Sequence, residues 1–151
     1  MHHDGFKDAK SALDFILAGR ARVTLTSLKT GDHYTYRVSR KTREGGPSYE
    51  TTPWFVSVLS GPDNGSDYNY IGFIPKQGPG DGLVAGQKGR PDATSFKAFQ
   101  WALSKLVGGS IPSELRIQHE GSCCRCGRAL THPDSVESGV GPECARKMEA
   151  A

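Results

Sequence analysis

The sequence lacks any long apolar run, and no stretch approaches the roughly 20 residues that a membrane-spanning helix needs. Its first residues also lack the basic and apolar regions of a signal peptide. We therefore expect a protein that makes no membrane contact and works in the cytoplasm.

A strong excess of either charge is lacking too. The chain of 151 residues carries 19 basic and 16 acidic side chains, which give a formal net charge of +3 at pH 7. A protein dedicated to DNA carries a larger basic excess. This balance therefore permits contact with nucleic acid or with an acidic protein face, but demands neither.

Catalytic motifs are missing as well. No Ser-His-Asp or Cys-His set can be assembled, and residues 86–90 lack the Lys-Ser or Lys-Thr ending of a phosphate-binding loop. We expect a protein that is not an enzyme and that acts by binding a partner.

The spacing of apolar residues predicts two helices and four strands. Helical periodicity covers residues 7–18. It returns from residue 94 or 95 to residue 106, where Phe96, Phe99, Leu103 and Leu106 form an apolar stripe on one side and Trp101 lies off it. Alternation at period two predicts strands over residues 22–28, 33–38, 54–59 and 68–74. These elements predict an α+β fold in which two helices accompany a four-stranded antiparallel sheet.

Two stretches between these elements are less regular. Residues 75–92 are rich in glycine and proline and are predicted to form a loop. Residues 110–118 are predicted to connect the second helix to the C-terminal segment, with a short strand through Leu115 and Ile117 as an option.

All four cysteines lie in the last 29 residues. In a reducing compartment such a cluster indicates metal ligands before it indicates disulfides. Cys123 and Cys126 form a Cys-x2-Cys turn, which presents two thiolates to one ion. Cys144 follows Pro142, which suits the first turn of a helix, where the helix dipole favours a thiolate. The pattern predicts a Zn²⁺ site with three cysteine ligands.

The fourth zinc ligand is predicted to be His119, four residues before Cys123, with His132 as its alternative. Cys124 is predicted not to bind, because a Cys-x-Cys pair makes a poorer chelating turn. Four protein ligands leave no position for water, so the zinc is predicted to be structural. The chain would then divide into an α+β domain over residues 1–110 and a zinc-knuckle module over residues 111–151.

Two motifs in this tail are specific. Residues 123–135 read Cys-Cys-Arg-Cys-Gly-Arg-Ala-Leu-Thr-His-Pro-Asp-Ser, and residues 139–144 read Gly-Val-Gly-Pro-Glu-Cys. Together they resemble the zinc-ribbon-like domain of unknown function found in many bacteriophage proteins. Residues 15–19, 60–64 and 68–72 are similar to segments that precede this domain in small phage proteins. The resemblance implies a phage lineage and metal ligands, but supplies no catalytic residues.

The expected function follows from this lineage and from the missing catalytic set. We expect a phage accessory protein that binds and inhibits a host nucleic-acid enzyme or defence complex, such as a CRISPR-associated nuclease, in the host cytoplasm. The alternative is a phage accessory factor that binds nucleic acid through a basic run and the sheet aromatics. The candidate partner-binding residues are Arg37, Arg40, Lys41, Arg43 and Trp101.

The aromatic residues of the predicted strands have two interpretations. Tyr34 and Tyr36 share one face of their strand, as do Tyr68 and Tyr70, and an exposed face of this kind could stack bases or anchor a protein. The ordinary expectation is a sheet surface that the two helices cover. Trp101 is predicted either to be exposed among lysines or to pack against the zinc module.

Overall fold

The structure, a computed structural model, describes residues 5–40, 52–60, 68–86 and 92–119. In chain order its elements are α1 (Ala9–Ile16), β1 (Arg20–Ser27), β2 (His33–Ser39), β3 (Trp54–Leu59), β4 (Tyr68–Ile74), a 3-10 helix (Pro79–Asp81), β5 (Val84–Ala85), α2 (Thr94–Val107) and β6 (Leu115–His119). The predicted α+β class and the two predicted α-helices are confirmed.

The sheet has six strands and not the four predicted. Its order is β5-β4-β3-β2-β1-β6, and every neighbouring pair is antiparallel. The optional strand through Leu115 and Ile117 is β6, which pairs with β1 at one edge. At the other edge, β5 is only two residues long and therefore shows no alternation that a sequence pattern could reveal.

Strand β5 also depends on a glycine in its neighbour. Gly72 of β4 pairs with Ala85, and a Cβ at position 72 would collide with the carbonyl oxygen of Val84. Glycine thus lets the two backbones approach closely enough to pair. The predicted loop over residues 75–92 therefore contains a 3-10 helix and an edge strand in the part that the structure describes.

Helix α1 begins at an acidic cap. The Asp8 side chain accepts a hydrogen bond of 3.0 Å from the backbone N–H of Ser11, and this bond lowers the pKa of Asp8. Ala12, Phe15 and Ile16 recur at helical spacing and are buried. Burial of this stripe fixes which side of the short helix faces the sheet.

Helix α2 packs on the same face of the sheet. Its predicted apolar stripe of Phe96, Phe99, Leu103 and Leu106 is buried, which confirms the expected orientation. The Tyr36 hydroxyl donates a hydrogen bond of 2.7 Å to the Ser95 carbonyl oxygen and so ties β2 to the start of α2. The sheet-to-helix core contains the largest fully buried side chains, which are Tyr36, Phe99, Ile16, Ile74, Leu103, Ile117, Val23, Val38 and Val56.

A second sheet-to-helix tie comes from Trp54. Its indole N–H donates a hydrogen bond of 2.9 Å to the carbonyl oxygen of Leu17, which follows α1. A buried tryptophan can keep its polar atom satisfied in this way while the ring fills the core. In the described parts of the chain, neither helix is long and apolar enough to cross a membrane.

The predicted division of the chain after residue 110 stays a prediction. Within its C-terminal half the structure describes residues 111–119, and of these Leu115–His119 form the β6 edge of the sheet. The Leu28 N–H also donates to the Glu114 carbonyl oxygen over 2.8 Å, just before that strand. The sheet therefore extends into the segment in which the predicted zinc module begins.

Candidate nucleic-acid interface

The two faces of the sheet differ in what packs on them. Side chains alternate along each strand, so one set points to α1 and α2 and the other points away. We call the second set the open face. Among the described residues it consists of Arg20, Arg22, Thr24, Thr26, His33, Thr35, Arg37, Ser39, Phe55, Ser57, Leu59, Tyr68, Tyr70, Phe73, Val84, Arg116 and Gln118.

Two arginines meet at the centre of the open face. Arg22 on β1 is the direct cross-strand partner of Arg37 on β2. Their Cζ atoms lie 5.9 Å and 4.7 Å from the centroid of the Tyr68 ring, with Arg37 the closer. Like charges directly opposite each other destabilise a sheet, whereas the negative face of an aromatic ring attracts cations. The ring therefore holds two guanidinium groups together at the surface.

Further cations surround this pair. Arg20 on β1 and Arg116 on β6 are both exposed and lie on the same face. None of the open-face residues that the structure describes is acidic. Ion pairs among the described residues join Lys10 to Asp14 on α1 and Lys29 to Glu114 near the β1–β2 turn, away from this face. Arg22 and Arg37 therefore have no carboxylate beside them at the open-face positions that the structure describes.

Exposed apolar side chains occupy the other half of the open face. Phe55 is 38% exposed, Tyr70 48% and Val84 39%. The Phe55 and Tyr70 rings lie edge to face, with centroids 6.1 Å apart and an interplanar angle of 64°. Partial burial raises the pKa of Tyr70 above its ordinary value. Aromatic rings and cations thus lie side by side on one surface.

A β-bulge decides which residues reach that surface. The register between β3 and β4 shifts at Val56 and Ser57, so that Tyr70 pairs with Ser57 and Gly72 pairs with Val56. Ile71, the residue between them, is buried in the core. The bulge therefore keeps Tyr70 on the open face although Ile74, four residues later, is fully buried.

The two predicted aromatic pairs lie on different faces of the sheet. Tyr36 is fully buried and its ring centroid lies 4.9 Å from that of Phe99, while Tyr34 packs at the edge of the same core. For these two residues the expected cover by helices is confirmed. For Tyr68 and Tyr70 it is wrong, because both lie on the open face, opposite the described helices.

The predicted basic run is divided by the strand alternation. Arg37 lies on the open face, whereas the Cζ atom of Arg40 lies 3.9 Å from the centroid of the Trp54 ring and its Nε donates a hydrogen bond of 3.2 Å to the Thr52 carbonyl oxygen. Burial there lowers the pKa of Arg40. Lys41 and Arg43 lie outside the described residues. The structure therefore brings Arg37 together with Arg22 and not with Arg40.

Trp101 lies on the helix side of the molecule, far from the open face. It is 38% exposed, in agreement with its predicted place off the apolar stripe of α2. Its side chain borders two hollows, of about 300 Å³ beside Asp32 and Glu114 and of about 480 Å³ beside Lys97. Trp101 is thus a candidate protein contact that is separate from the arginines.

The predicted zinc ligand His119 lies at the end of β6, opposite Val23. It is buried at 6% exposure, and its ring centroid is 5.5 Å from that of Phe15 and 6.1 Å from that of Phe6. Among the described residues no three His, Cys, Asp or Glu side chains form a metal-binding group. The other predicted ligands Cys123, Cys126 and Cys144, the alternative ligand His132 and the non-ligand Cys124 lie outside the described residues, so the ligand set stays a prediction.

Comparison with protein families gives one finding for this tail. Residues 115–149 match the model of a family of unknown function, DUF6011. The matched segment begins with β6 and contains all four predicted zinc ligands. It agrees with the prediction of a C-terminal domain of unknown function. No curated protein and no solved structure matches the chain.

Proposed function

We propose that the protein is an accessory factor that binds nucleic acid through the open face of its sheet. The observation that carries this proposal is the pairing of Arg22 with Arg37 beneath one tyrosine ring on a surface whose described residues include no acidic side chain. Phosphate groups suit such paired guanidinium groups, because the planar fork of donors matches two phosphate oxygens.

The local arrangement is costly without an anion. Two cations placed opposite each other on neighbouring strands repel, and no described carboxylate on this face offsets the repulsion. Where a protein does break a local rule of sheet pairing, the place is often a functional site. A bound phosphate would replace repulsion by two charge-assisted hydrogen bonds.

The guanidinium groups are also positioned before any ligand arrives. Stacking over the Tyr68 ring restricts the Arg37 side chain, which lies 4.7 Å from the ring centroid. Less side-chain freedom is then lost on binding, and this saving favours affinity. The net charge of +3 is small, so the interaction depends on this local cluster and not on the charge of the whole chain.

The test measures binding to labelled DNA and RNA by fluorescence anisotropy as salt is raised from about 50 to 200 mM. Each phosphate contact makes the negative slope of log affinity against log salt steeper by about 0.7 to 0.9. Replacing both arginines, in the double variant Arg22→Gln/Arg37→Gln, should therefore make that slope shallower by about 1.4 to 1.8. Lys105→Gln on α2 removes a charge from the other side of the molecule and is the matched control.

Two results would contradict the proposal that the open face binds nucleic acid. The first is the absence of measurable binding to any DNA or RNA at the lowest salt. The second is a double arginine variant whose affinity and salt slope equal those of the Lys105→Gln control. Circular dichroism of each variant shows whether the fold has been kept.

We also propose that the segment after β6 binds one structural Zn²⁺ through His119, Cys123, Cys126 and Cys144. Support comes from the Cys-x2-Cys spacing and from the position of His119 at the end of a paired strand. A strand fixes its last side chain more firmly than a loop does, and metal sites need ligands held in place. His119, which would hold the ion, lies beside Phe15 of α1.

A second candidate function is a protein-protein contact on the helix side. Trp101 is exposed between two hollows, and tryptophan is enriched among the residues that dominate binding energies at interfaces. A phage protein with such a surface could bind and inhibit a host nucleic-acid enzyme or a CRISPR-type defence complex in the host cytoplasm. The phage lineage in this candidate rests on the resemblance of the tail.

The second candidate is tested by co-purification from a bacterial host lysate, followed by an activity assay of the captured enzyme with added protein. Inhibition that is lost in Trp101→Ala but kept in the double arginine variant would support it. Capture of no host nucleic-acid enzyme, or inhibition that Trp101→Ala leaves unchanged, would count against it.

A further inference from the structure

The aromatic half of the open face exposes two large rings to water. Phe55 and Tyr70 are 38% and 48% exposed, although large rings on a water-facing surface give up the stabilisation that burial would bring. Arginines alone would suffice to hold phosphates. We therefore expect the rings to favour a ligand that has flat apolar surfaces of its own.

The faces of nucleic-acid bases are such surfaces, and only unpaired strands expose them. In a duplex each base is already stacked between its neighbours, so a protein ring meets only groove edges and phosphates. In a single strand every base can turn a face toward an aromatic side chain. We propose that the open face binds single-stranded nucleic acid, with bases stacked on Phe55 and Tyr70 and phosphates held by Arg37 and Arg22. This inference rests on the function proposed above.

The register places these groups along one line across the sheet. Tyr70 pairs with Ser57, Ser57 with Arg37 and Arg37 with Arg22, on four consecutive strands. The line crosses three strand spacings, which is about 14 Å. Ser57, between the ring and the cations, has a small side chain. A strand of a few nucleotides can therefore lie with bases at the Tyr70 end and phosphates at the Arg22 end.

The shape of the surface also disfavours a duplex. Six neighbouring strands span about 24 Å from β5 to β6, whereas the major groove of DNA is about 12 Å wide. The sheet therefore cannot place its face toward the base edges without widening the groove, which costs deformation energy. A duplex could touch the arginines through its backbone, but Phe55 and Tyr70 would then contribute nothing.

The experiment compares a labelled single strand of about 15 nucleotides, as DNA and as RNA, with the DNA duplex of the same sequence. Binding to the full chain is measured by fluorescence anisotropy at low salt. We expect the single strand to bind at least about tenfold more tightly than the duplex. Phe55→Leu and Tyr70→Leu should each weaken single-strand binding by roughly fivefold to a hundredfold, the range typical of one stacked base.

The same leucine variants should leave the weak duplex binding nearly unchanged, because a duplex has no free base face. Val107→Ala removes part of an equally exposed apolar side chain from the end of α2, on the other side of the sheet, and should change neither affinity. Thermal melting of each variant separates a loss of binding from a loss of fold.

The outcomes separate this inference from the proposed function. Equal affinity for duplex and single strand, or leucine variants that bind the single strand as tightly as the unchanged protein, would overturn the inference. The proposed function would survive that result if binding remained dependent on salt and on Arg22 and Arg37. Absence of binding to every probe would overturn both.

Discussion

The two faces of the sheet are made by the same strands and yet have opposite chemistry. On β1 and β2, Val23 and Val38 are fully buried beneath the helices, while Arg22 and Arg37, one residue before each, face away from them. The covered face carries the apolar contacts that stabilise the fold. The open face carries cations and exposed rings that add little to stability. The comparison teaches that stability and binding can be changed separately in this protein.

The largest effect is expected in the segment that follows His119, where the zinc site is proposed. A structural zinc site in a small module contributes on the order of 10 kcal/mol at neutral pH. We expect one zinc per chain by elemental analysis, and its loss in Cys126→Ser and Cys144→Ser. Cys124→Ser should keep the metal and serves as the matched control.

The same measurement decides between the two histidines. His119→Ala should lower the zinc content, whereas His132→Ala should leave it unchanged. The reverse result would make His119 a core residue of the covered face alone. Protein that contains no zinc in its unchanged form would contradict the site altogether.

A phenylalanine on each face gives the sharpest contrast in stability. Phe99 is 1% exposed, so Phe99→Ala should lower the free energy of unfolding by about 3 to 5 kcal/mol, because the cavity it leaves adds to the lost burial. Phe55→Ala on the open face removes the same ring from a 38% exposed site and its edge-to-face contact with Tyr70. We expect that change to cost less than about 1.5 kcal/mol. Urea denaturation measures both, and equal losses would break the distinction between the faces.

Removal of the Gln100 side chain, which bonds to Leu83 just before β5, should have a smaller effect on stability. The Gln100 side chain accepts a hydrogen bond of 2.6 Å from the Leu83 N–H and donates one of 3.3 Å to the Leu83 carbonyl oxygen. Gln100→Leu leaves both half-buried backbone groups without this partner, and we expect a loss of about 1 to 3 kcal/mol. Ser104→Ala on the same helix, where the exposed serine hydroxyl donates a hydrogen bond to the Trp101 carbonyl oxygen, is a milder control. Hydrogen exchange of the Leu83 amide should quicken in Gln100→Leu alone.

The smallest effect concerns the covered tyrosine and depends on pH. Burial, with a smaller contribution from Tyr34, raises the pKa of Tyr36 well above its ordinary value. The folded protein therefore holds the phenolic proton more firmly than the unfolded chain, whose tyrosines titrate near pH 10. The stability that Tyr36 contributes is complete below about pH 10 and is lost as the pH rises from there toward the folded-state pKa.

The expected size of that loss is at most about 1.4 kcal/mol for each pH unit. Tyr36→Phe should remove this part of the alkaline decline, and at neutral pH it should cost about 0.5 to 1.5 kcal/mol because the Ser95 carbonyl oxygen loses its donor. Chemical denaturation of both proteins at several pH values above 9 gives the comparison. Parallel declines in the two proteins would show that Tyr36 does not titrate on unfolding.

Much of the covered face was predictable from the sequence. The stripe on α2 and the alternation on β1 and β2 identify Phe99, Leu103, Val23 and Val38 as buried, because apolar periodicity follows burial directly. The pairing of the first hairpin follows from the same alternation and brings Arg22 beside Arg37. The metal pattern in the tail is also a property of spacing alone, and it stays a prediction.

The rest required contacts between residues far apart in the chain. The predicted number of strands was wrong because β5 has only two residues and β6 pairs with β1, which lies about ninety positions earlier. The bulge between β3 and β4 could not be seen either, since uninterrupted alternation would put Tyr70 on the same face as Ile74. Alternation predicts that Arg37 and Arg40 lie on opposite faces of the sheet. Only the structure shows that the Arg40 guanidinium group lies over the Trp54 ring.

By itself, the sequence determined the fold class, the two helices and their buried stripes, because these depend on local spacing and on the free energy of burying apolar side chains. Tertiary structure decided which face of the sheet the helices leave exposed and which rings and cations meet there. Such a surface depends on strand order, on one bulge and on which side the helices pack, and these are set by contacts across the whole fold.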